Sequence, residues 1–226
     1  MKPYTTTSTI ALDNLAWRRL RQIGIGGSDA PHIALTPEEF RYCDPEKLLR
    51  DKIEPITEEF VPIPCRVGHA LEPLCASLYI EATGRRVHKV NALLRSTEHP
   101  FMCANLDRKL YGVNEGLECK AVGWLSARRK RYDPETDREH WVDIFGSGDW
   151  ETDLSYKPEW YIQMQHYMAV TGWAIWHLAV LVGNDRFIYY DIPRNDALIE
   201  QLITVEREFW DVVLETRAQI KARKDV

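Results

Sequence analysis

The stretch Ala104–Lys120, ANLDRKLYGVNEGLECK, decides how the rest of the chain is read. It holds a carboxylate at Asp107, a Tyr-Gly turn at 111–112, and then Glu118-Cys119-Lys120 within a short apolar run. A strand over Gly116–Val122 puts Glu118 and Lys120 on one face and Leu117, Cys119 and Ala121 on the other. Asp107 closes the apolar run Phe101-Met102-Cys103-Ala104, and a hairpin through Leu110 to Gly116 brings its carboxylate beside Glu118. Two acids and a lysine then converge. Hard oxygen donors of this kind suit Mg²⁺ or Mn²⁺, and a neighbouring ammonium suits a metal-activated water attacking a phosphate. The competing reading is a surface hairpin with solvated charges.

Composition bounds the alternatives. A chain of 226 residues with 45% apolar and 28% charged residues has globular proportions and fits one domain. Its most apolar stretch, Ala174–Val182, carries His177 and falls far short of the ~20 residues that span a bilayer. The N-terminus MKPYTTTSTIALDN lacks the apolar segment of a secretion signal, so a cytoplasmic location and no membrane partner are expected. Cysteines at 43, 65, 75, 103 and 119 have no C-x-x-C spacing, and buried free thiols are expected at Cys75 and Cys119.

The net charge of -5 hides an asymmetry. Residues 120–132 carry five bases and no acid, whereas 133–159 carry nine acids against Arg138 and Lys157. Arg128, Arg129, Lys130 and Arg131 are candidate DNA contacts, the alternative being one solvated face of a helix. The acidic, glycine-containing segment 133–156 is expected to be a long mobile loop.

Asp13 or Asn14 can cap a first helix carrying Leu15, Trp17, Leu20 and Arg21. After Gly26-Gly27, Ser28 is a suitable N-cap and Pro31 fits a first turn, so a glycine-flanked helix start is expected. Its free N–H groups, with the Ser28 hydroxyl and the Arg21 guanidinium, make a site for a phosphate. The alternative is a simple turn in which Asp29 answers the dipole. Asp44-Pro45 opens a short helix to Ile53, and residues 54–65 read as a loop. An apolar stripe from Leu71 to Ala82 predicts a helix stopped by Gly84, with Glu72 near its start. Strands are expected at 86–90, 92–95, 101–107 and 116–122, in a meander. Pro158 opens a helix through Thr171 bearing Gln163 and Gln165, a hairpin follows over 174–182 and 186–192, and a long helix runs from Asn195 to Lys224.

This order of elements, with Asp107, Glu118-x-Lys120 and the Gln163-to-Tyr167 helix, resembles the PD-(D/E)xK nuclease superfamily. Within it the chain most resembles the lambda-type exonucleases, also called YqaJ-like viral recombinases. The likeness runs from about residue 17 to 210. It is carried by Arg21-x(3)-Ile25-Gly-Gly-Ser28-Asp29, Gly68-x(3)-Glu72-Pro, His99-Pro-Phe-Met, Asn105-Leu-Asp107, Leu117-Glu-Cys-Lys120 and Gln163-x-Gln165-His-Tyr-Met. Leu106 stands where the superfamily name has proline.

The resemblance implies an α/β restriction-endonuclease-like fold, a central mixed sheet flanked by helices in a single nuclease domain. It implies that Asp107, Glu118, the Cys119 carbonyl and Glu72 hold Mg²⁺ (or Mn²⁺), in two sites. Lys120 would orient or help deprotonate the attacking water, and Gln165 with Gln163 would complete the catalytic set. Arg21, Ser28 and Gly27 would bind the 5′-phosphate. The implied activity is 5′-to-3′ digestion of one strand of linear duplex DNA, by a phage- or prophage-encoded homotrimer working with a single-strand annealing protein in a bacterial host. A structure-specific endonuclease on the same fold and a non-catalytic DNA-end-binding module are the alternatives.

Overall fold

The computed structural model describes residues 2–57, 61–135, 137–143 and 157–224, with the backbone alone described at 125–126, 128–133, 139–143 and 224. Short helices come first. Helix α1 (Asn14–Arg21) is capped by Asp13, whose Oδ1 accepts the Ala16 N–H at 2.7 Å, and Arg18, Arg19 and Arg21 lie in its last turn, where they suit the dipole. Helix α2 (Pro31–Ala34) is a single turn. In α3 (Pro45–Ile53) Asp44 caps and Pro45 opens the helix, as its sequence predicts.

Helix α4 (Ile63–Thr83) begins well before the expected Leu71 stripe, so residues 63–65 are helical rather than loop; it carries Pro73 inside and ends on Gly84 at φ 70°. Helix α5 (Pro158–Thr171) likewise stops at Gly172, φ 69°. Left-handed backbone of this kind is where a residue without Cβ is least strained. The long α6 (Asp196–Lys224) packs on α2, α3 and α5. None of the described helices is long and apolar enough to cross a membrane.

The nine described strands other than a small ribbon form two sheets. Strands β1 (Tyr4–Ser8), β2 (Ile25–Gly26), β4 (Ala92–Ser96) and β5 (Met102–Asn105) make a four-stranded sheet ordered β1-β4-β5-β2. Strands β3 (Val87–Lys89), β6 (Arg108–Leu110), β7 (Gly116–Val122), β10 (Ile175–Val182) and β11 (Arg186–Pro193) make a five-stranded sheet ordered β11-β10-β7-β6-β3. It is mixed, because β7 and β10 run parallel while its other pairs are antiparallel. The architecture is therefore α/β with a central mixed sheet flanked by helices.

The expected meander does not form. The chain switches sheets after β3, pairs β4 with β5, and returns to pair β6 with β3 and β7. β5 is apolar and buried throughout except at Asn105, so it has two covered faces rather than the one of an edge hairpin. Leu106 and Asp107 span the seam between the sheets.

The segment 128–143 also departs from expectation. β8 (Arg128–Asp133) and β9 (Arg138–Asp143) pair as an antiparallel ribbon, turned at Asp137 with φ 53°. The basic run is thus a strand rather than a helix face, and the expected loop begins with the ribbon; residues 144–156 lie outside the described residues.

Alternation along the mixed sheet sorts two faces. Leu117, Ala179 and Leu181 meet Cys75 and Tyr79 of α4, while Trp176, Leu178 and Val180 join Met164, Tyr167 and Met168 of α5 in the main core. The Trp176 ring lies between Tyr167 and Trp173, at centroid distances of 5.1 and 5.5 Å. A polar tie crosses this core. Fully buried His166 of α5 donates through Nε2 to the Cys103 carbonyl of β5 at 2.9 Å, and its Nδ1 lies 2.8 Å from Glu206 of α6.

Candidate active site

Asp107 sits at the seam with its Oδ2 accepting the Cys119 N–H at 2.9 Å. Burial, and then the neighbouring Glu118 and Glu72 carboxylates, push its pKa well above the usual carboxylate range. Glu118 lies in the middle of β7 on the face toward α5 and is 4% exposed. Its Oε1 accepts from Lys120 Nζ at 2.7 Å and from Gln163 Nε2 at 2.7 Å. The Gln163 amide closes this small ring, since its Oε1 accepts from Lys120 at 2.9 Å and its Nε2 also reaches Tyr167 Oη at 2.9 Å. Lys120 stays cationic: burial works against its charge, but the Glu118 and Asp107 carboxylates raise its pKa above the ordinary lysine value. Glu118 and Lys120 therefore share one face, as alternation along β7 requires.

Gln165 is placed elsewhere. Its Nε2 donates to the Pro193 carbonyl at 2.8 Å and its Oε1 accepts the Asn195 N–H at 2.9 Å, which ties α5 to the β11–α6 junction. Residues two apart on a helix of 3.6 per turn point about 200° apart, so Gln163 and Gln165 cannot face one site. Gln163 is the glutamine that meets the Glu118 carboxylate.

Glu72 of α4 approaches the cluster but pairs with Arg108, which is 8% exposed and also donates to the Asp107 carbonyl at 2.6 Å. Arg108, on Glu72, and His69, which lines the same cavity as Asp107, belong to no motif of the sequence. Position next to Asp107 is the only signal the sequence carries for Arg108, and His69 precedes Glu72 by one turn of α4.

Could these residues hold a divalent ion? Among the described residues no three His, Cys, Asp or Glu side chains are grouped as a metal site, since Glu72 is turned onto Arg108. Asp107 and Glu118 nevertheless fit one in chemistry. Glu118 Oε2 is buried without a hydrogen-bond partner, and the Asp107 carboxyl is destabilised by its acidic neighbours. A buried carboxylate oxygen left unpaired is costly, and a hard cation is what would satisfy both groups. Cys119 lies between the two strand residues with its N–H on Asp107.

The second half of the site is a cationic corner. Arg21 Nη2 donates to Ser28 Oγ at 2.6 Å and to Asp29 Oδ1 at 3.3 Å. The expected helix start at Ser28 is absent: residues 27–30 form a turn, and α2 begins at Pro31 with Ala30 in the N-cap position and no side-chain cap. Asp29 instead accepts the Gly26 N–H at 2.8 Å, and Lys52 Nζ at 2.6 Å. Burial pushes the Asp29 carboxyl up, but the Lys52 and Arg21 charges outweigh it and lower its pKa to about 2. Gly27 is required by packing, because a Cβ there would lie 2.4 Å from Cε1 of Tyr167.

Both halves open on one cavity. Arg21, Ser28, Asp107, Glu118, Gln163 and Tyr167 all line a space of about 150 Å³. A larger one of about 420 Å³, along Glu72 and Lys89, shares Trp17, His69, Asn105 and Asp107 with it. The side chains of Arg128, Arg129, Lys130 and Arg131 lie outside the described residues.

Known proteins share this fold. Two crystal structures of an alkaline exonuclease from Laribacter hongkongensis, one of them in complex with dAMP, superpose with a TM-score of 0.64 at 19% identity, over 92% of this chain and 97% of that one. A phage-related exonuclease from Haemophilus somnus 129PT gives 0.58 at 12% identity, over 88% and 99%. These show the same fold. An uncharacterized protein of Bacillus subtilis (strain 168), YqaJ, is 31% identical over 199 residues, covering 86% of this chain; the chain spans about half, 54%, of that relative's length. Residues 16–174 match the model of the YqaJ-like viral recombinase domain, and the chain belongs to that family.

Proposed function

We propose that the chain is a metal-dependent deoxyribonuclease that digests one strand of linear duplex DNA from its 5′ end, leaving 3′ single-stranded tails for phage-type recombination. The observation that carries this reading is that the Asp107–Glu118 acids and the Arg21–Ser28 corner line one cavity. The exonuclease fold of the neighbours, one of them crystallised with dAMP, supports it.

Asp107 and Glu118, with the Cys119 carbonyl, are the residues that would hold Mg²⁺ or Mn²⁺, as two ions, with Glu72 joining them on release from Arg108; when bound the ions would supply Lewis acidity and a nucleophilic water. Lys120 would orient an attacking water by donating to it. As an ammonium flanked by two carboxylates it is a donor rather than a base. Gln163 fixes both Lys120 and the Glu118 carboxylate, so the ammonium and the acid keep one relative geometry. Arg21 and Ser28 receive the terminal 5′-phosphate by charge-assisted hydrogen bonds. The strand register, set at its end, then brings the scissile phosphate to Asp107. A ring-shaped homotrimer around the duplex and an annealing protein that takes up the tail complete the proposal.

The test is digestion of linear against covalently closed circular duplex, with Mg²⁺ or with chelator. Linear DNA is expected to be lost only with Mg²⁺, and the Lys120→Ala variant to bind DNA without cutting it. Cutting of the closed circle identifies an endonuclease, and intact linear DNA with Mg²⁺ identifies a non-catalytic end-binding module.

A further inference from the structure

Lys52 is one of few charged side chains buried among the described residues, at 5% exposure; it lines, with Arg21 and Asp29, a neighbouring cavity of about 330 Å³ rather than the one that Arg21 and Ser28 face. Its ammonium spends all three N–H groups inside the protein. It donates to Asp29 Oδ2 at 2.6 Å, to the Gly24 carbonyl at 2.8 Å and to the Arg21 carbonyl at 3.1 Å. The backbone that carries it is fastened as well, because Arg217 of α6 donates to the Lys52 carbonyl at 2.7 Å and to the Gln22 carbonyl at 2.8 Å. Burying an ammonium is expensive unless it is fully paired, so a lysine here performs something an apolar residue would not.

What it performs follows from the charges. Asp29 stands between two cations, with Lys52 at 2.6 Å and Arg21 at 3.3 Å. With Lys52 present the group has two positive charges and one negative, and the close partner of the carboxylate is the buried ammonium. The exposed guanidinium keeps its charge for the cavity. Without Lys52 the same carboxylate would belong to Arg21 alone, and the corner would be neutral.

We propose that Lys52 is a positioning residue that sets the charge of the end-binding corner, neutralising Asp29 from behind so that Arg21 stays net positive toward a terminal phosphate. This rests on the reading of that corner as the 5′-phosphate site. Asp29 complements it, holding the Gly26 N–H and the Arg21 guanidinium in place without cancelling the charge that a phosphate needs.

The experiment measures kcat/KM on linear duplexes with 5′-phosphate and 5′-hydroxyl ends and takes the ratio, which does not depend on the fraction of folded enzyme. The parent is expected to favour phosphate. Lys52→Met is expected to lower the ratio about tenfold, the equivalent of one charge-assisted hydrogen bond. Adding Asp29→Asn to Lys52→Met removes the carboxylate that Arg21 would otherwise answer, and most of the preference is expected to return. A lysine that served only to hold the fold together would move both rates in parallel and leave the ratio alone. Since Lys52→Met strands a buried carboxylate, the comparison is repeated with Lys52→Gln, whose amide keeps a hydrogen bond to Asp29. An unchanged ratio in the single variants overturns the proposal, as does a double variant no better than Lys52→Met. A parent that cuts both ends alike overturns the 5′-phosphate reading itself, and the role of Lys52 with it.

Discussion

The Asp107 carboxylate accepts the backbone N–H of Cys119 at 2.9 Å, so the residue that crosses between the two sheets is clipped to the middle of β7. The same bond sets the acid beside Glu118, one residue earlier on that strand. Its raised pKa has a definite sign for stability. A carboxyl whose folded pKa lies above its unfolded value binds its proton more tightly when folded, so the ionised group destabilises the protein as pH rises through the unfolded value. Asp107→Asn is expected to abolish cleavage and to raise the thermal midpoint at neutral pH in chelator. Mg²⁺ is expected to raise the midpoint of the parent and not of the variant. A midpoint that falls in the variant would contradict this account.

Gln163 and Gln165 make a paired test. Gln163→Leu strips Lys120 and Glu118 of their shared partner, and loss of cleavage is expected with DNA binding retained. Gln165→Leu leaves the Pro193 carbonyl and the Asn195 N–H unpaired, for a stability loss of about 1–3 kcal/mol, while the folded enzyme still cuts. Denaturant unfolding and single-turnover cleavage separate the two outcomes.

At Gly27 the added methyl of Gly27→Ala meets the Tyr167 ring. Overpacking is expected to cost about 1–3 kcal/mol. Because Tyr167 Oη bonds the Gln163 amide, the displaced ring should also slow cleavage. In the double variant Gly27→Ala/Tyr167→Phe the stability cost is expected to persist, because the ring that the methyl meets is kept, while Gly27→Ala is expected to slow cleavage no further than Tyr167→Phe does alone.

Asp29 gives the opposite pH dependence from Asp107. Its pKa is depressed to about 2 from an ordinary value of 3.8, so it contributes stability that is present above the unfolded pKa and is lost as pH falls through the folded one. The contribution is about 2 kcal/mol. Urea unfolding of parent and Asp29→Asn between pH 6 and pH 2 is expected to show the gap between them closing below about pH 4.

The helices and the carboxylate strand were legible because local chemistry specifies them. Asp13, Asp44, Pro45, Pro158, Gly84 and Gly172 mark helix ends by capping and backbone preference, and period-two alternation put Glu118 beside Lys120. The departures arise where long-range packing decides. Nothing local tells β4 and β5 to leave the sheet of β3 and β6, and a two-strand ribbon over 128–143 competes with a helix face in any window dominated by charge. The turn at 27–30 went to Asp29 rather than Ser28 because Lys52, twenty-three residues later, supplies the cation that lets a carboxylate be buried there. Gln165 looked equivalent to Gln163 in a Gln-x-Gln motif, and helical geometry alone assigns them to opposite sides.

The buried His166 tie gives the long α6 helix a second office. Through Glu206 and His166 it grips β5, and β5 pairs with Gly26 at the cationic corner and leads into Asp107 at the acids. One splint therefore braces both groups that line the cavity at once. Trimming the chain from its carboxy terminus should be tolerated beyond Arg217, should loosen the corner when Arg217 goes, and should fail once the core residues Val213 and Trp210 are lost, before the cut reaches Glu206, when end selection and cutting would slacken together.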